Sequence, residues 1–221
     1  MPEPIVPSRE VLNQIAALPL SQRPLIICDV DEVVLHLIRH METYLQGQGL
    51  RFLTADYRLT GNIARQDEQT PLAADTVRRH IQAFFDAENH RQDLVEGANH
   101  ALLALSAAWD VVFLTNLPGA HNKPVRERLL ASYGLSFPVV TNSGPKGGAV
   151  AALSAGRPDP VVFIDDSPAN HSSVNASLPS AIQIQFIADD RFRARLSQQD
   201  HIDLVTGDWH QTASFIEGML R

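Results

Sequence analysis

Short apolar runs that each end in a polar, chemically capable side chain constrain the fold of this chain more than any other feature. The clearest runs are Leu25 to Cys28 before Asp29, Val111 to Leu114 before Thr115, and Val161 to Ile164 before Asp165. Bounded apolar runs rich in β-branched residues are typical of strands buried on both faces of a parallel sheet. Since the carboxyl ends of parallel strands meet at one edge of a sheet, we expect these polar residues to converge there.

Helical patterns lie between the predicted strands. They cover Ala101 to Ala108, Pro124 to Tyr133, Lys146 to Ala155, and a last stretch from the N-cap candidate Asp208 toward Met219. The second and third of these are each followed by a glycine, which is favoured just past a helix end. Two further strands are expected over Phe137 to Val140 and Ile182 to Ile187. Strands that alternate with helices predict an α/β fold with a doubly wound parallel sheet.

Between residues 36 and 91 the alternation stops, because this stretch has helical patterns but no convincing buried strand. Thr70-Pro71 is a candidate helix start, since proline is favoured at the first helical position. Val77, Ile81 and Phe84 then recur at helical spacing. Roughly 55 residues are too many for a simple connection within a compact domain. We therefore predict a core domain of residues 1–35 and 92–221, with a small helical cap inserted at 36–91.

Composition and charge exclude several classes of protein. The chain has 18 Lys and Arg against 25 Asp and Glu, a net charge of −7 that argues against a broad nucleic-acid-binding surface. A single cysteine excludes an internal disulfide framework and a multi-cysteine zinc site. No apolar stretch reaches the roughly 20 residues that span a bilayer. We expect a soluble, cytoplasmic protein with neither nucleic acid nor membrane as a partner.

Six residues form a set with a coherent chemistry. Five follow predicted strands, and Lys146 opens a predicted helix; the five are Asp29, Asp31, Thr115, Asp165 and Asp166. Four carboxylates at one edge raise one another's pKa unless a cation compensates their charge. Mg²⁺ favours a few carboxylates together with waters and a substrate phosphate. A threonine hydroxyl and a lysine ammonium supply the hydrogen bond and the positive charge that a phosphate needs. An aspartate can attack phosphorus, and a second one can exchange protons with the leaving group and with water.

At these residues the sequence resembles the haloacid dehalogenase-like (HAD) hydrolase superfamily. The first motif of that family appears as Ile-Ile-Cys-Asp29-Val-Asp31-Glu-Val, and the second as Val-Val-Phe-Leu-Thr115-Asn. The third is a lysine at a helix start, here Lys146, and the fourth appears as Val-Val-Phe-Ile-Asp165-Asp166-Ser. All four occur in the family's order, and the ordered set is far more specific than any one motif.

The resemblance implies roles for the four aspartates. Asp29 is expected to be the nucleophile and a Mg²⁺ ligand. Asp31 is expected to be the general acid and base, and to offer its backbone carbonyl to the metal. Asp166 is expected to bind the metal directly, and Asp165 to bind it directly or through water.

The resemblance also implies how the substrate is held. Thr115, the adjacent Asn116 and Lys146 are expected to bind the phosphate, and Lys146 to restrain the charge of the nucleophile. The insert at 36–91 lies where the family carries a C1 cap. Such caps close over the site, exclude water and select the substrate.

The presence of Asp31 indicates the class of reaction. Dehalogenases of the family lack an acid at this position, because a halide leaves without a proton. The alkoxide that leaves a phosphate ester does need a proton. The sequence therefore predicts a Mg²⁺-dependent phosphatase that hydrolyses a small phosphorylated metabolite through an aspartyl-phosphate. A phosphotransferase and a catalytically weak regulatory or binding protein on the same scaffold stay open as alternatives. The oligomeric state is left undecided.

Two further features leave alternatives open. Glu32, beside the first motif, could reshape the mouth of the site and disfavour anionic substrates, or it could point into solvent. The insert also carries arginines that could contact a second anionic group or simply be solvated, among them Arg39, Arg51, Arg58 and Arg65.

Overall fold

The computed structural model of the chain describes residues 6–158, 160–197 and 199–220. Within these residues the strands are β1 (Leu25–Cys28), β2 (Leu50–Phe52), β3 (Ile63–Arg65), β4 (Asp110–Asn116), β5 (Val139–Asn142), β6 (Val161–Asp165), β7 (Ile182–Phe186) and β8 (Leu204–Thr206). The main sheet has the order β5-β4-β1-β6-β7-β8, and each of its neighbouring pairs is parallel.

Helices cover both faces of this sheet. They are α1 (Arg9–Ala16), α2 (Ile38–Gly47), α3 (Ala74–Glu88), α4 (Ala98–Leu105), α5 (Asn122–Ser132), α6 (Gly147–Ser154), α7 (Pro168–Ser177), α8 (Asp190–Arg193) and α9 (Trp209–Glu217). Among the described residues, no helix combines the length and the apolar character needed to cross a membrane.

The central strand β1 shows why the sheet is apolar on both sides. Ile26 and Cys28 pack into one buried cluster, with residues of α4, α5 and α9. Leu25 and Ile27 pack into a second cluster on the opposite face, with residues of α1, α6 and α7. Successive side chains of a strand point to opposite faces, so a strand covered on both sides is apolar at every position. The predicted doubly wound α/β fold is confirmed.

Most predicted core elements occur within a few residues of their predicted bounds. Strand β5 begins at Val139 instead of Phe137, and Pro138, which has no N–H to donate, lies between the two positions. Helix α9 begins after Asp208, whose side chain accepts hydrogen bonds from the backbone N–H groups of His210 and Gln211, as an N-cap does. The edge strand β8 was not predicted, because three residues show no clear pattern.

The stretch 36–91 contains α2 and α3, but it also contains the antiparallel pair β2–β3, in which Leu50 lies opposite Arg65. The absence of strands predicted for this stretch is therefore wrong. Strands of three residues are too short to show alternation in a sequence. Helix α3 also begins at Ala74, three positions after Pro71, so the predicted start at Thr70-Pro71 is wrong too.

The stretch 36–91 has an apolar cluster of its own, formed by residues such as Met41, Leu50 and Phe84. Its two ends lie side by side. The N–H of His36 donates to the carbonyl of Asp93 at 2.9 Å, and the N–H of Val95 donates to the carbonyl of Val34 at 2.8 Å. The division into a core domain and an inserted cap stays a prediction, and we call residues 36–91 the insert below.

Candidate active site

Three neighbouring strands bring the first, second and fourth motifs to one edge of the sheet. Strand β1 lies between β4 and β6, with Cys28 in register with Phe113 on one side and with Ile164 on the other. Asp29 follows β1 directly, and its N–H donates to the carbonyl of Ile164 at 2.8 Å. Thr115 and Asp165 are near or at the ends of their strands. The predicted convergence is therefore present.

Lys146 joins this edge from the start of α6. Its ammonium lies 2.8 Å from Oδ2 of Asp29 and 2.7 Å from Oδ2 of Asp165, and its side chain is completely buried. Helix α6 packs closely against α7 here, since a Cβ at Gly147 would clash with the backbone oxygen of Ser173. This close packing fixes the position from which Lys146 reaches the two carboxylates.

Three aspartates at this edge carry more negative charge than Lys146 neutralises. Carboxylate oxygens of Asp29, Asp165 and Asp166 lie within 4.8 Å of one another. Burial, opposed by Lys146 and reinforced by Asp165, raises the pKa of Asp29 to about 7. Burial and the charges of Asp29, Glu32 and Asp31 raise the pKa of Asp166 well above its usual value. Oxygen donors with this excess charge fit a hard divalent cation such as Mg²⁺.

Asp165 differs from the other two because both of its oxygens already have partners. Oδ2 accepts from Lys146, and Oδ1 accepts from the N–H of Ser167 and from Nδ2 of Asn170, both at 2.9 Å. Its carboxylate therefore holds the lysine and the loop after β6 in place. The predicted metal roles of Asp165 and Asp166 stay predictions.

Asp31 lies in a second buried cluster, which sequence reasoning missed. Nη2 of Arg126 is 3.0 Å from Oδ1 of Asp31, and Nε2 of Gln92 donates to the same oxygen at 2.9 Å. Arg126 also donates to Oε1 of Gln92 at 2.8 Å, and it is fully buried. Arg126 lies among Arg and Glu residues of α5 that read as a solvated face, so no sequence signal reveals its burial.

Thr115 is buried, and its hydroxyl has no hydrogen-bond partner in the described structure. A buried hydroxyl without a partner is costly unless a ligand completes it. Thr115 also lines a cavity that lies above the sheet edge and is described below. Its free hydroxyl therefore fits the predicted role as a phosphate donor.

The amide of the neighbouring Asn116 is engaged in a loop contact instead. Its Nδ2 donates to the carbonyl of Gly144 at 2.9 Å, and its Oδ1 accepts from Asn142 at 2.9 Å. Asn116 and Asn142 both line the cavity, and Asn142 was not identified from the sequence. The phosphate-binding role predicted for Asn116 stays a prediction, and its side chain also orders the loop that leads to Lys146.

Glu32 follows neither of the two alternatives left open for it, because it is fully buried and does not line the cavity. Its carboxylate accepts from the N–H groups of Leu37, Ile38 and Asp189 at 3.0, 2.8 and 2.7 Å. Burial, only partly offset by these donors, raises the pKa of Glu32 to about 7. Its φ of 62° places the backbone in the left-handed region, so the turn is held by these contacts despite some strain.

A cavity of about 830 Å³ lies above this edge. Asp29, Asp31, Thr115 and Asp166 form its floor, and residues of the insert form its opposite wall. The cavity falls in the upper part of the range for small-molecule sites, about 300–1,000 Å³.

Solved structures with the same fold agree with this architecture. A conserved haloacid dehalogenase-like protein of unknown function from Agrobacterium tumefaciens superposes with a TM-score of 0.64 at 18% identity, over 90% of this chain and 100% of that one. A HAD family hydrolase from Deinococcus radiodurans, solved with bound phosphate and sodium, gives 0.63 at 18% identity, over 90% and 97% of the two chains. YfnB of Bacillus subtilis, solved bound to magnesium, gives 0.57 at 11% identity, over 89% and 99%.

No family model matches the sequence. No curated protein matches it either. The structural likeness therefore defines the class at the level of fold, and the chain has a haloacid dehalogenase-like fold.

Proposed function

We propose that this protein is a HAD-type phosphatase that hydrolyses a small phosphate monoester with Mg²⁺ through an aspartyl-phosphate on Asp29. One observation carries the proposal. A carboxylate held by a buried lysine, a buried hydroxyl without a partner and an excess of negative charge all meet on the floor of a cavity. The neighbours solved with phosphate and with magnesium support it.

The orientation of Asp29 supports its role as the nucleophile. Its Oδ1 accepts from the N–H of Val30 at 2.7 Å and its Oδ2 contacts Lys146, so the carboxylate is fixed at the cavity floor. A fixed nucleophile next to its target gains rate because little ordering is left for the transition state. In the proposed reaction Asp29 attacks phosphorus, the bond to the leaving oxygen breaks, and water later cleaves the acyl phosphate.

Lys146 and Thr115 supply the donors for the transferring phosphoryl group. Burial lowers the pKa of Lys146, but the carboxylates of Asp165 and Asp29 outweigh it and raise the pKa, so the ammonium stays charged. A buried positive charge stabilises phosphoryl oxygens more strongly than a solvated one. A bound Mg²⁺, held by Asp29, Asp166 and the Asp31 carbonyl, would neutralise the remaining charge on the phosphoryl oxygens.

Asp31 is placed for proton transfer at the same cavity floor. In the first step it would donate a proton to the leaving oxygen, and in the second it would accept one from the attacking water. The ion pair with Arg126, at 3.0 Å, holds the carboxylate of Asp31 in this position. Gln92 fixes the carboxylate from the other side.

A cytoplasmic location belongs to the same proposal. The free cysteine, Cys28, is buried in the central strand, where burial and the charge of Asp29 raise its pKa well above the usual value. A neutral, buried thiol is inert and needs no oxidising compartment.

The test is the turnover of 4-nitrophenyl phosphate with Mg²⁺, compared with the same reaction in excess chelator. We expect hydrolysis with Mg²⁺, and background rates with chelator or in Asp29→Asn. Asp200→Asn, at an exposed position, serves as the matched control and should keep wild-type activity. Phosphoryl transfer to added methanol in place of water would favour the phosphotransferase, and inertness toward a broad phosphate panel would favour the regulatory protein.

A further inference from the structure

The cavity has two chemically different ends. Its floor is polar and contains the carboxylates and Thr115, whereas the wall formed mostly by the insert is largely apolar. The apolar residues that define this wall are Met41, Phe52, Leu59, Ile81, Phe85 and Phe192. We call these six residues the apolar wall.

Aromatic packing holds part of the apolar wall in shape. The ring of Phe52 meets the ring of Phe192 edge-on, with centroids 5.6 Å apart, and Tyr57 meets the same ring at 6.3 Å. Phe192 belongs to α8, so this contact links the insert to the core beside the cavity. The wall is thus built from two parts of the chain that pack on each other.

Few side chains of the insert offer polar groups to the cavity. Arg58 is the insert arginine that lines it, but its side chain is 61% exposed and lies 3.9 Å from Asp56. The other arginines of the insert do not line the cavity and are engaged elsewhere. The pairs are Arg39 with Asp93, Arg51 with the carbonyls of Gln66 and Glu68, Arg65 with Glu68, Arg78 with Asp75, Arg79 with Thr76, and Arg91 with Glu88. A second anionic group would therefore meet at most one solvated guanidinium, at the rim.

The contrast between the polar floor and the apolar wall determines which leaving groups fit the cavity. A polyhydroxylated leaving group would lose water from its hydroxyls against the apolar wall, which lowers binding by roughly tenfold or more for each hydroxyl left without a partner. An apolar leaving group would instead gain about fourfold in binding for each methylene that it buries. The volume of about 830 Å³ leaves room for a leaving group of several carbon atoms beside the phosphate.

We propose that the substrate is a phosphate monoester of an apolar alcohol, aryl or alkyl, whose carbon skeleton packs on the apolar wall while its phosphate binds at Asp29, Thr115 and Lys146. This inference rests on the proposed function and narrows its substrate class. The apolar wall is then a specificity determinant, and the phosphate subsite is common to all substrates.

The decisive experiment compares two phosphates of similar size in the presence of Mg²⁺. Cyclohexylmethyl phosphate and glucose 6-phosphate are both primary esters on a six-membered ring, and they differ mainly in the hydroxyls. We expect kcat/KM to be at least about tenfold higher for cyclohexylmethyl phosphate. In an n-alkyl series from methyl to pentyl phosphate, kcat/KM should rise by about fourfold per methylene until the wall is covered.

A pair of variants tests whether the apolar wall causes the preference for cyclohexylmethyl phosphate. Ile81→Asn places an amide in the apolar wall and should reduce the ratio of the two kcat/KM values by about tenfold. The same substitution at Leu103, which is 45% exposed on α4 and away from the cavity, should leave that ratio unchanged. Because both substrates are measured on one sample, the ratio does not depend on the fraction of protein that is folded.

The outcomes separate the two proposals. Turnover of both phosphates with an equal rate, or with a preference for glucose 6-phosphate, overturns the apolar substrate class and leaves the phosphatase standing. No turnover of these esters or of 4-nitrophenyl phosphate overturns both.

Calorimetry gives a second measurement that needs no turnover. Pentyl phosphonate should bind more tightly than methyl phosphonate, and equal affinities would contradict the role of the wall.

Discussion

Asp29 and Asp31 are two residues apart in the chain, yet they lie in different surroundings. Asp29 contacts Lys146, which also contacts Asp165, and Asp165 in turn accepts from the loop after β6. Asp31 is bound by Arg126 of α5 and by Gln92, which lies where the chain returns from the insert. One carboxylate is thus fixed to the sheet, and the other to the junction between the sheet and the insert.

The difference agrees with the roles that we propose for the two carboxylates. A nucleophile has to keep its position relative to the phosphate, and a rigid sheet edge provides this. A proton donor has to meet a leaving group whose position depends on the insert. Gln92 also donates to the carbonyl of His36, at the other end of the insert, so the cluster around Asp31 touches both connections. We interpret Arg126 and Gln92 as positioning residues for Asp31.

The largest effect should come from removing the charge of the nucleophile. Asp29→Asn keeps the size of the side chain but cannot attack phosphorus, so kcat for 4-nitrophenyl phosphate should fall by at least about 10⁴-fold. Steady-state kinetics with Mg²⁺ measure this, and thermal unfolding verifies that the variant is folded. A variant that keeps more than a few per cent of wild-type activity would refute Asp29 as the nucleophile.

A smaller and more selective loss is expected at the second carboxylate. Asp31→Asn should slow the turnover of alkyl phosphates by roughly 10²–10⁴-fold, because their leaving groups need a proton. Formation of the phosphoenzyme from 4-nitrophenyl phosphate should suffer less, since nitrophenolate leaves without help. Stopped-flow bursts and steady-state rates on both substrates measure the contrast. An equal loss in the rate of phosphoenzyme formation from both substrates would argue against proton transfer by Asp31.

The two buried cations should contribute similarly to stability but respond differently to metal. Lys146→Met and Arg126→Met each leave a buried carboxylate without its partner, which costs about 3–5 kcal/mol of unfolding free energy. Urea unfolding in chelator measures both losses. Millimolar Mg²⁺ should then stabilise Lys146→Met by more than it stabilises the wild type, because the cation offsets the charge of the same aspartates that the lysine contacts.

Arg126→Met is the matched control for that rescue. The side chain of Asp31 is not among the clustered carboxylates, so Mg²⁺ should stabilise this variant only by as much as it stabilises the wild type. Equal rescue of both variants would show that the two clusters are not distinct in the way we describe.

A pH dependence of metal binding gives the smallest of these effects. The pKa of Asp29 is raised to about 7 in the metal-free protein, so below that pH the metal has to displace a proton. Apparent Mg²⁺ affinity should rise by at least about tenfold between pH 6 and pH 8, since the pKa of Asp166 is raised as well. Titration calorimetry in two buffers of different ionisation enthalpy reports the released proton. Asp31→Asn should keep this dependence, and a flat affinity from pH 6 to pH 8 would contradict it.

The part of the site that could be predicted from the sequence is the part built on buried strands. Strands β1, β4 and β6 are apolar on both faces, so their runs stand out, and the polar residues after them have to meet at one edge. Asp29, Thr115 and Asp165 follow from that pattern alone. Lys146, at the start of a predicted helix, completed this set as the positive charge that a phosphate needs, and the resemblance to a known set of motifs agreed.

The remaining parts depend on contacts between distant segments, which no local pattern records. Arg126 and Gln92 are polar residues whose burial exists only because they pair with Asp31. The position of Glu32 depends on backbone donors at Leu37 and at Asp189, 157 residues along the chain. Strand β8 and the pair β2–β3 are too short to carry a period, so tertiary packing alone defines them.

Trapping the covalent intermediate tests the central claim most directly. Asp31→Asn is mixed rapidly with 4-nitrophenyl phosphate and Mg²⁺, quenched in acid, and analysed by intact mass and peptide mapping. We predict that it gains the mass of one phosphoryl group, located on Asp29, because the second step lacks its base. Asp29→Asn should gain none. A phosphoryl group on Asp29→Asn but not on Asp31→Asn, or on another residue of the wild-type protein, would contradict the account.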